Sequence, residues 1–147
     1  MCSSYIKKDL FGSWEFVYSK VYDIDGNMVS EVGDESPNHC KLLVITFGEE
    51  SIEYFKYNGI DKEGKCIVLI KKVKYDLRDN CIYTLDGEGD LVLGDMVVIK
   101  ELSADTLSFY RRLANPVVNN GIVLQGVELQ LKKVKLTNVE YEIKHGL

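Results

Sequence analysis

Ser13-Trp14-Glu15-Phe16-Val17-Tyr18-Ser19-Lys20-Val21-Tyr22 is the stretch on which the fold turns. β-Branched and aromatic residues crowd it, as they do in strands. Period-two alternation sets Trp14, Phe16 and Tyr18 on one face against Glu15, Val17 and Ser19 on the other. Asp25-Gly26 closes the run as a turn. A polar stretch follows through Gly33-Asp34-Glu35-Ser36-Pro37-Asn38, without strand character and longer than a hairpin loop.

Outward from this stretch the same pattern recurs. Leu42 to Phe47 and Ser51 to Tyr57 form a second and third run, separated by the hairpin-length Gly48-Glu49-Glu50. Asn58-Gly59 ends the third. The fourth, Lys65 to Leu77, sets Val73, Tyr75 and Leu77 against Lys72, Lys74 and Asp76. Arg78-Asp79-Asn80 turns into the fifth, Cys81 to Leu85. The sixth is Met96 to Leu102. The seventh, Thr106 to Leu113, places Leu107, Phe109 and Arg111 together. Ala114 to Gly121, with Pro116 and Asn119-Asn120-Gly121, reads as a loop. The eighth run, Ile122 to Val134, sets Val127, Leu129 and Leu131 against Glu128, Gln130 and Lys132. Ser4 to Phe11 is read as one helical turn, and the tail through Val139, Tyr141 and Ile143 as a short edge strand or a loose end. Eight short runs joined mostly by hairpins predict an all-β fold, an eight-stranded up-and-down antiparallel barrel whose closure removes unpaired edges.

Length and charge narrow the function classes. The 147 residues fit a single domain spanning 1–147. Eighteen Lys and Arg against twenty-three Asp and Glu leave a net charge of −5, a poor match for nucleic acid, which needs a basic footprint. No apolar run approaches the roughly 20 residues of a membrane-spanning helix. The start lacks the apolar stretch of a signal peptide. Cys2 therefore has two readings: an incidental thiol of a cytoplasmic protein, or the acylated cysteine of a trimmed bacterial lipoprotein held at the cell envelope. Cys40, Cys66 and Cys81 match no Cys-x-x-Cys pattern. Buried free thiols are the preferred reading, with a disulfide as the alternative.

Leu10-Phe11-Gly12-Ser13-Trp14 places a Gly-x-Trp after a short N-terminal turn. With Asp25-Gly26-Asn27, Ile45-Thr46-Phe47 and Leu102-Ser103-Ala104-Asp105-Thr106-Leu107, the chain from Leu10 to Val134 resembles a lipocalin-like domain of the calycin group. In particular it is similar to the small lipocalin-like proteins of gut Bacteroidetes. The resemblance implies a barrel taking a small apolar or amphipathic ligand, with the Asp23–Lys41 connection over its open end. It also implies an Arg stacked on the Trp near the end of the last strand, a place that Arg111 or Arg112, one strand earlier, would fill instead. Here the last strand offers Lys132, Lys133 and Lys135, and the long helix that follows the last strand in secreted lipocalins is missing.

Arg111 is the expected partner of Trp14, because it shares a face with Leu107 and Phe109; the functional alternative has it anchor a ligand carboxylate. Phe16, Tyr18, Tyr54, Tyr75, Tyr83 and Phe109 are the expected lining of the lumen, whose tyrosine hydroxyls suit a small amphipathic molecule. Asp23-Ile24-Asp25-Gly26-Asn27 and Asp86-Gly87-Glu88-Gly89-Asp90 are oxygen-rich, but neither reproduces the EF-hand order, and both read as solvated turns. His39 and His145 are the only histidines. No nucleophile, phosphate-loop or metal motif appears, so the expectation is a binding protein with no enzymatic activity, metal or cofactor. The competing reading is a side-chain-filled barrel that interacts with other proteins, with Val17, Val21 and Tyr110 contributing an outer apolar patch. Oligomeric state is not legible.

Overall fold

The computed structural model describes residues 5–33, 40–85, 88 and 96–135, and the backbone alone of 141–145. A 3-10 turn over Lys7–Leu10 leads into β1 (Gly12–Asp23), β2 (Met28–Gly33), β3 (Leu43–Phe47), β4 (Ser51–Ile60) and β5 (Cys66–Arg78). β6 (Cys81–Leu85), β7 (Met96–Leu102), β8 (Thr106–Asn119), β9 (Ile122–Val134) and β10 (Tyr141–His145) follow. Pairing runs β5-β4-β3-β1-β9-β8-β7-β6 and returns from β6 to β5, so eight antiparallel strands close on themselves. The barrel predicted from the sequence is the one observed, with first and eighth runs adjacent.

Two strands lie outside the closed ring. β10 pairs in parallel with residues 66–70 of β5, which favours the strand reading of the tail. β2 pairs with β1, so Met28–Gly33 corrects the expectation of a strandless polar loop. Every residue of β2 is exposed, so no buried face stamps a period-two signal on its sequence. The Asp25-Gly26 turn does join the two strands: the Asp23 carboxylate accepts from the backbone N–H groups of Asp25 (3.0 Å) and Asn27 (2.8 Å), and Gly26 takes φ +85°. That carboxylate is occupied by its own turn, as the solvated-turn reading expects.

Two further boundaries move. β8 continues to Asn119, which corrects the reading of Ala114 to Gly121 as a loop. Pro116 falls within a bulge between Arg112 and Val117, where no ladder hydrogen bond is needed from it. β4 runs past Asn58-Gly59 to Ile60 through a second bulge, with Gly59 at φ +105°. The oxygen-rich run 86–90, apart from residue 88, and Cys2, Asp34, Glu35 and His39 lie outside the described residues.

The core sits toward the end of the barrel where β1 begins. Leu10, Trp14, Ile45, Phe47, Ile52, Tyr75, Ile82, Ile99, Leu107, Phe109 and Leu131 form one buried cluster. The 3-10 turn closes that end. Its Leu10 is fully buried, and the Leu10 carbonyl accepts a 2.8 Å hydrogen bond from Trp14 Nε1. Cys40 and Cys66 form a disulfide, with Cα atoms 5.7 Å apart, which corrects the preference for free thiols; Cys81 is free. The bridge ties the chain just ahead of β3 to the first residue of β5. Outward-facing Val44 and Val68 are each only 1% exposed.

Candidate functional site

The barrel has a floor and a mouth. At the floor, Lys133 stands opposite Trp14 in the ladder, with Nζ 4.4 Å from the ring centroid, and it donates to the Phe11 carbonyl. Gly12 makes room for this: at φ +114° a Cβ would lie 2.6 Å from Lys133 Nζ. The small residue of Gly-x-Trp thus admits the cation that covers the Trp. Arg111 does not play this part, which corrects the expectation. It pairs with Val127, six residues along β9 from Lys133 and so about 20 Å away along the strand. Burial lowers the Lys133 ammonium below its ordinary pKa. Lys133→Met is expected to cost about 1 kcal/mol in urea unfolding, from the lost cation–π contact and hydrogen bond, and Arg111→Met much less.

Tyr75 belongs to the floor. It is 1% exposed, its hydroxyl donates to the Gly48 carbonyl at 2.6 Å, and Lys7 Nζ lies 4.5 Å from its ring centroid. Burial, with the Asp76 carboxylate adding to it, pushes this hydroxyl up to about 12 from an ordinary 10.0. A raised acid pKa means the folded state favours the neutral hydroxyl. That stabilisation is whole below the ordinary value and is lost as pH rises toward the folded one. Spectrophotometric titration is therefore expected to show Tyr75 ionising late, and Tyr75→Phe to remove that step.

Strand parity locates the other expected lining residues. Phe16 is buried opposite Leu131, and Phe109 is buried opposite Leu129, where it joins the core cluster. Tyr54 faces inward between Ile45 and Lys71 and packs against the core. Arg111 faces inward between Val97 and Val127. Tyr18 and Tyr83 do not line the lumen. A bulge in β1 between Phe16 and Tyr18 shifts the alternation by one residue, so Tyr18 pairs with outward Gln130. It also carries Val21 inward, opposite Val127, and so off the expected outer patch. Tyr83 pairs with Asp76, on the face opposite Tyr75 and Leu77, and Arg78 covers its ring at 5.6 Å. Tyr22 and Tyr110 share the outer face with Tyr18. Their centroids are 6.0 Å apart, and Tyr110 lies so close to Gly126 that a Cβ there would meet its hydroxyl at 1.9 Å.

Nearer the mouth the inner surface becomes polar. Tyr54 is followed on the inner face of β4 by Lys56, which pairs with Leu43 and Leu69, and β5 contributes Lys71. Lys56, Lys71 and Arg111 face inward yet are exposed, so solvent reaches the inner surface at this end. Burial raises the Tyr54 hydroxyl above its ordinary pKa, and the charge of Arg111 opposes the shift. Among the described residues the Tyr54 hydroxyl has no hydrogen-bond partner. Sequence reasoning missed the lysines, although Lys71 has the same parity as Val73, Tyr75 and Leu77. The connection from β1 to β3 leaves and re-enters at the mouth, where the resemblance places a lid. Glu15 secures its end. Burial raises this carboxyl, but hydrogen bonds from Lys41 and from Lys132 (3.1 Å) outweigh burial and hold it below its ordinary value.

Fold and site define a class: a closed antiparallel barrel, plugged at one end by the 3-10 turn and Trp14 and with exposed cations on its inner face toward the other, of the architecture the lipocalin-like resemblance implies. The chain is similar to a lipocalin-like protein from Bacteroides uniformis, at 15% identity and a TM-score of 0.46 over 86% of this chain and 99% of that one. It is also similar to an uncharacterized protein from Bacteroides eggerthii, at 12% identity and a TM-score of 0.48 over 85% and 99%. No protein-family profile and no curated protein matches the chain.

Proposed function

We propose that the protein is a non-catalytic binding protein that takes a small amphipathic molecule through the mouth, its apolar part against Leu129 and Val127. The observation that carries this reading is Tyr54. A tyrosine hydroxyl buried inside a barrel is paired within the protein, as that of Tyr75 is, whereas that of Tyr54 keeps a position that solvent reaches. The Tyr54 hydroxyl faces inward without a protein partner among the described residues, beside a solvent-reached cationic rim, and so suits a ligand's polar group.

Native mass spectrometry of protein purified from its own host tests the reading. A small mass released on denaturation is expected, and it should be depleted in Tyr54→Phe. Bare protein at every collision energy would overturn the proposal. One observation favours a second reading, a protein-interaction barrel. Ile24, Met28, Val117, Val118 and Ile122 are exposed on the β1–β2 and β8–β9 hairpins, which are joined by a 2.9 Å hydrogen bond from Ile24 N–H to the Val123 carbonyl.

A further inference from the structure

β2 is the strand that barrel closure does not use. It lies beyond β3 along the same side of β1, where β3 pairs with residues 12–15 and β2 with residues 18–22. β4 flanks β3, but past Tyr57 it pairs with β5 and not with β2. Among the described residues β2 is therefore bonded to β1 alone, and its other side is an open edge. Natural edge strands often carry lysine or proline against pairing with another chain. Met28-Val29-Ser30-Glu31-Val32-Gly33 has neither. Its one guard is a bulge, which leaves Val29 without a partner on β1 and residues 30–33 in regular register. Its one charged residue, Glu31, stands opposite Lys20 of β1. Met28 is 53% exposed and Val32 41%.

We infer that β2 is a dimerisation edge and that its occupant is β2 of a second copy of this chain, paired antiparallel about a two-fold axis. This is independent of the ligand reading. An axis normal to the sheet sets one residue of the strand opposite itself. With Glu31 on the axis two carboxylates would meet, which is destabilising. With Ser30 on the axis, Glu31 faces the partner's Val29, and Met28 faces the partner's Val32. With Val32 on the axis, that valine faces its own copy, and Glu31 faces the partner's Gly33. Two registers thus join the edges with apolar side chains opposed and no like charges facing. The charge balance favours this approach in an acidic protein. Each copy carries −5, and here they meet across a strand whose only carboxylate already has a lysine beside it.

The test is sedimentation velocity of the full chain over a hundredfold range of concentration, with hydrogen exchange read at both ends of the range. A reversible monomer–dimer equilibrium is expected, with a Kd on the order of 100 µM, because one strand pair makes a small interface. Added salt should tighten it several-fold by screening the two net charges. Amides of residues 28–33 should gain protection at high concentration, and those of 117–123 should not. Val32→Lys, which supplies the missing edge lysine, should weaken the dimer about tenfold. Val118→Lys, at a 67% exposed position on the β8–β9 hairpin, should leave it unchanged. A chain that stays monomeric at the highest concentration overturns the proposal. So does protection gained at 117–123 in place of 28–33, which the unaltered protein reports whether or not either variant folds. Equal loss in both variants overturns it too, because general apolar association would then account for the dimer.

Discussion

Trp14→Ala is expected to lower the free energy of unfolding by about 4 kcal/mol, the largest effect of any single substitution in the chain. Trp14 is fully buried, in one cluster with Leu10, Phe47, Leu107 and Leu131. Truncation leaves a cavity at the floor and removes the indole N–H that holds the Leu10 carbonyl at 2.8 Å. It also strips Lys133 of the ring beneath it. The 3-10 turn then has less to hold it in place, so hydrogen exchange over residues 7–11 should rise beyond the global loss. Trp14→Phe, which keeps an aromatic ring but no donor, should fall between the two. Urea unfolding checks the series; a loss below about 1 kcal/mol for the alanine variant would mean that the floor is not built on this residue.

Removing the Cys40–Cys66 bridge is the second large effect. A cross-link 26 residues apart in sequence restricts the unfolded chain, and its loss is expected to cost about 3.5 kcal/mol. For a chain of this length that corresponds to a fall in Tm of about 10 °C. Thermal scans of Cys40→Ala/Cys66→Ala, and of the unaltered protein with and without reductant, should agree on the shift. A reductant-insensitive Tm in the unaltered protein would show that the bridge contributes nothing. Cys81→Ala should leave the melting point close to that of the parent.

The barrel is legible in the sequence because its strands each bury one face. Val73, Tyr75 and Leu77 alternate with charged residues, as do Val127, Leu129 and Leu131, and that pattern fixes both strand and orientation. Where neither face is buried the signal disappears, as in β2. Where a strand bulges the alternation slips, so Tyr18 reads as inward and the continuation of β8 past Pro116 reads as loop. The disulfide is hidden for a different reason. Leu43 and Leu69 both pair with Lys56, and Cys40 and Cys66 each stand three residues before them. Only the register brings the two cysteines side by side. Of the residues expected to line the lumen, Tyr54 and Arg111 stand toward the mouth, Phe16 lies inside beside Leu131, and Tyr75 and Phe109 are packed in the core.

The single extra residue in β1 decides which side chains fill that wall of the barrel. Were β1 to pair without the bulge, Tyr18 and Tyr22 would turn into the interior and Ser19 and Val21 would turn out; deleting Val17 removes only the extra residue and leaves Tyr18 opposite Gln130 and Ser19 opposite Leu129. One bulge thus decides whether a whole wall of the interior carries small residues or bulky phenols, a difference that point substitutions reach only in several steps. A change of length at this position is therefore absorbed where it falls, and the staves on either side keep their register.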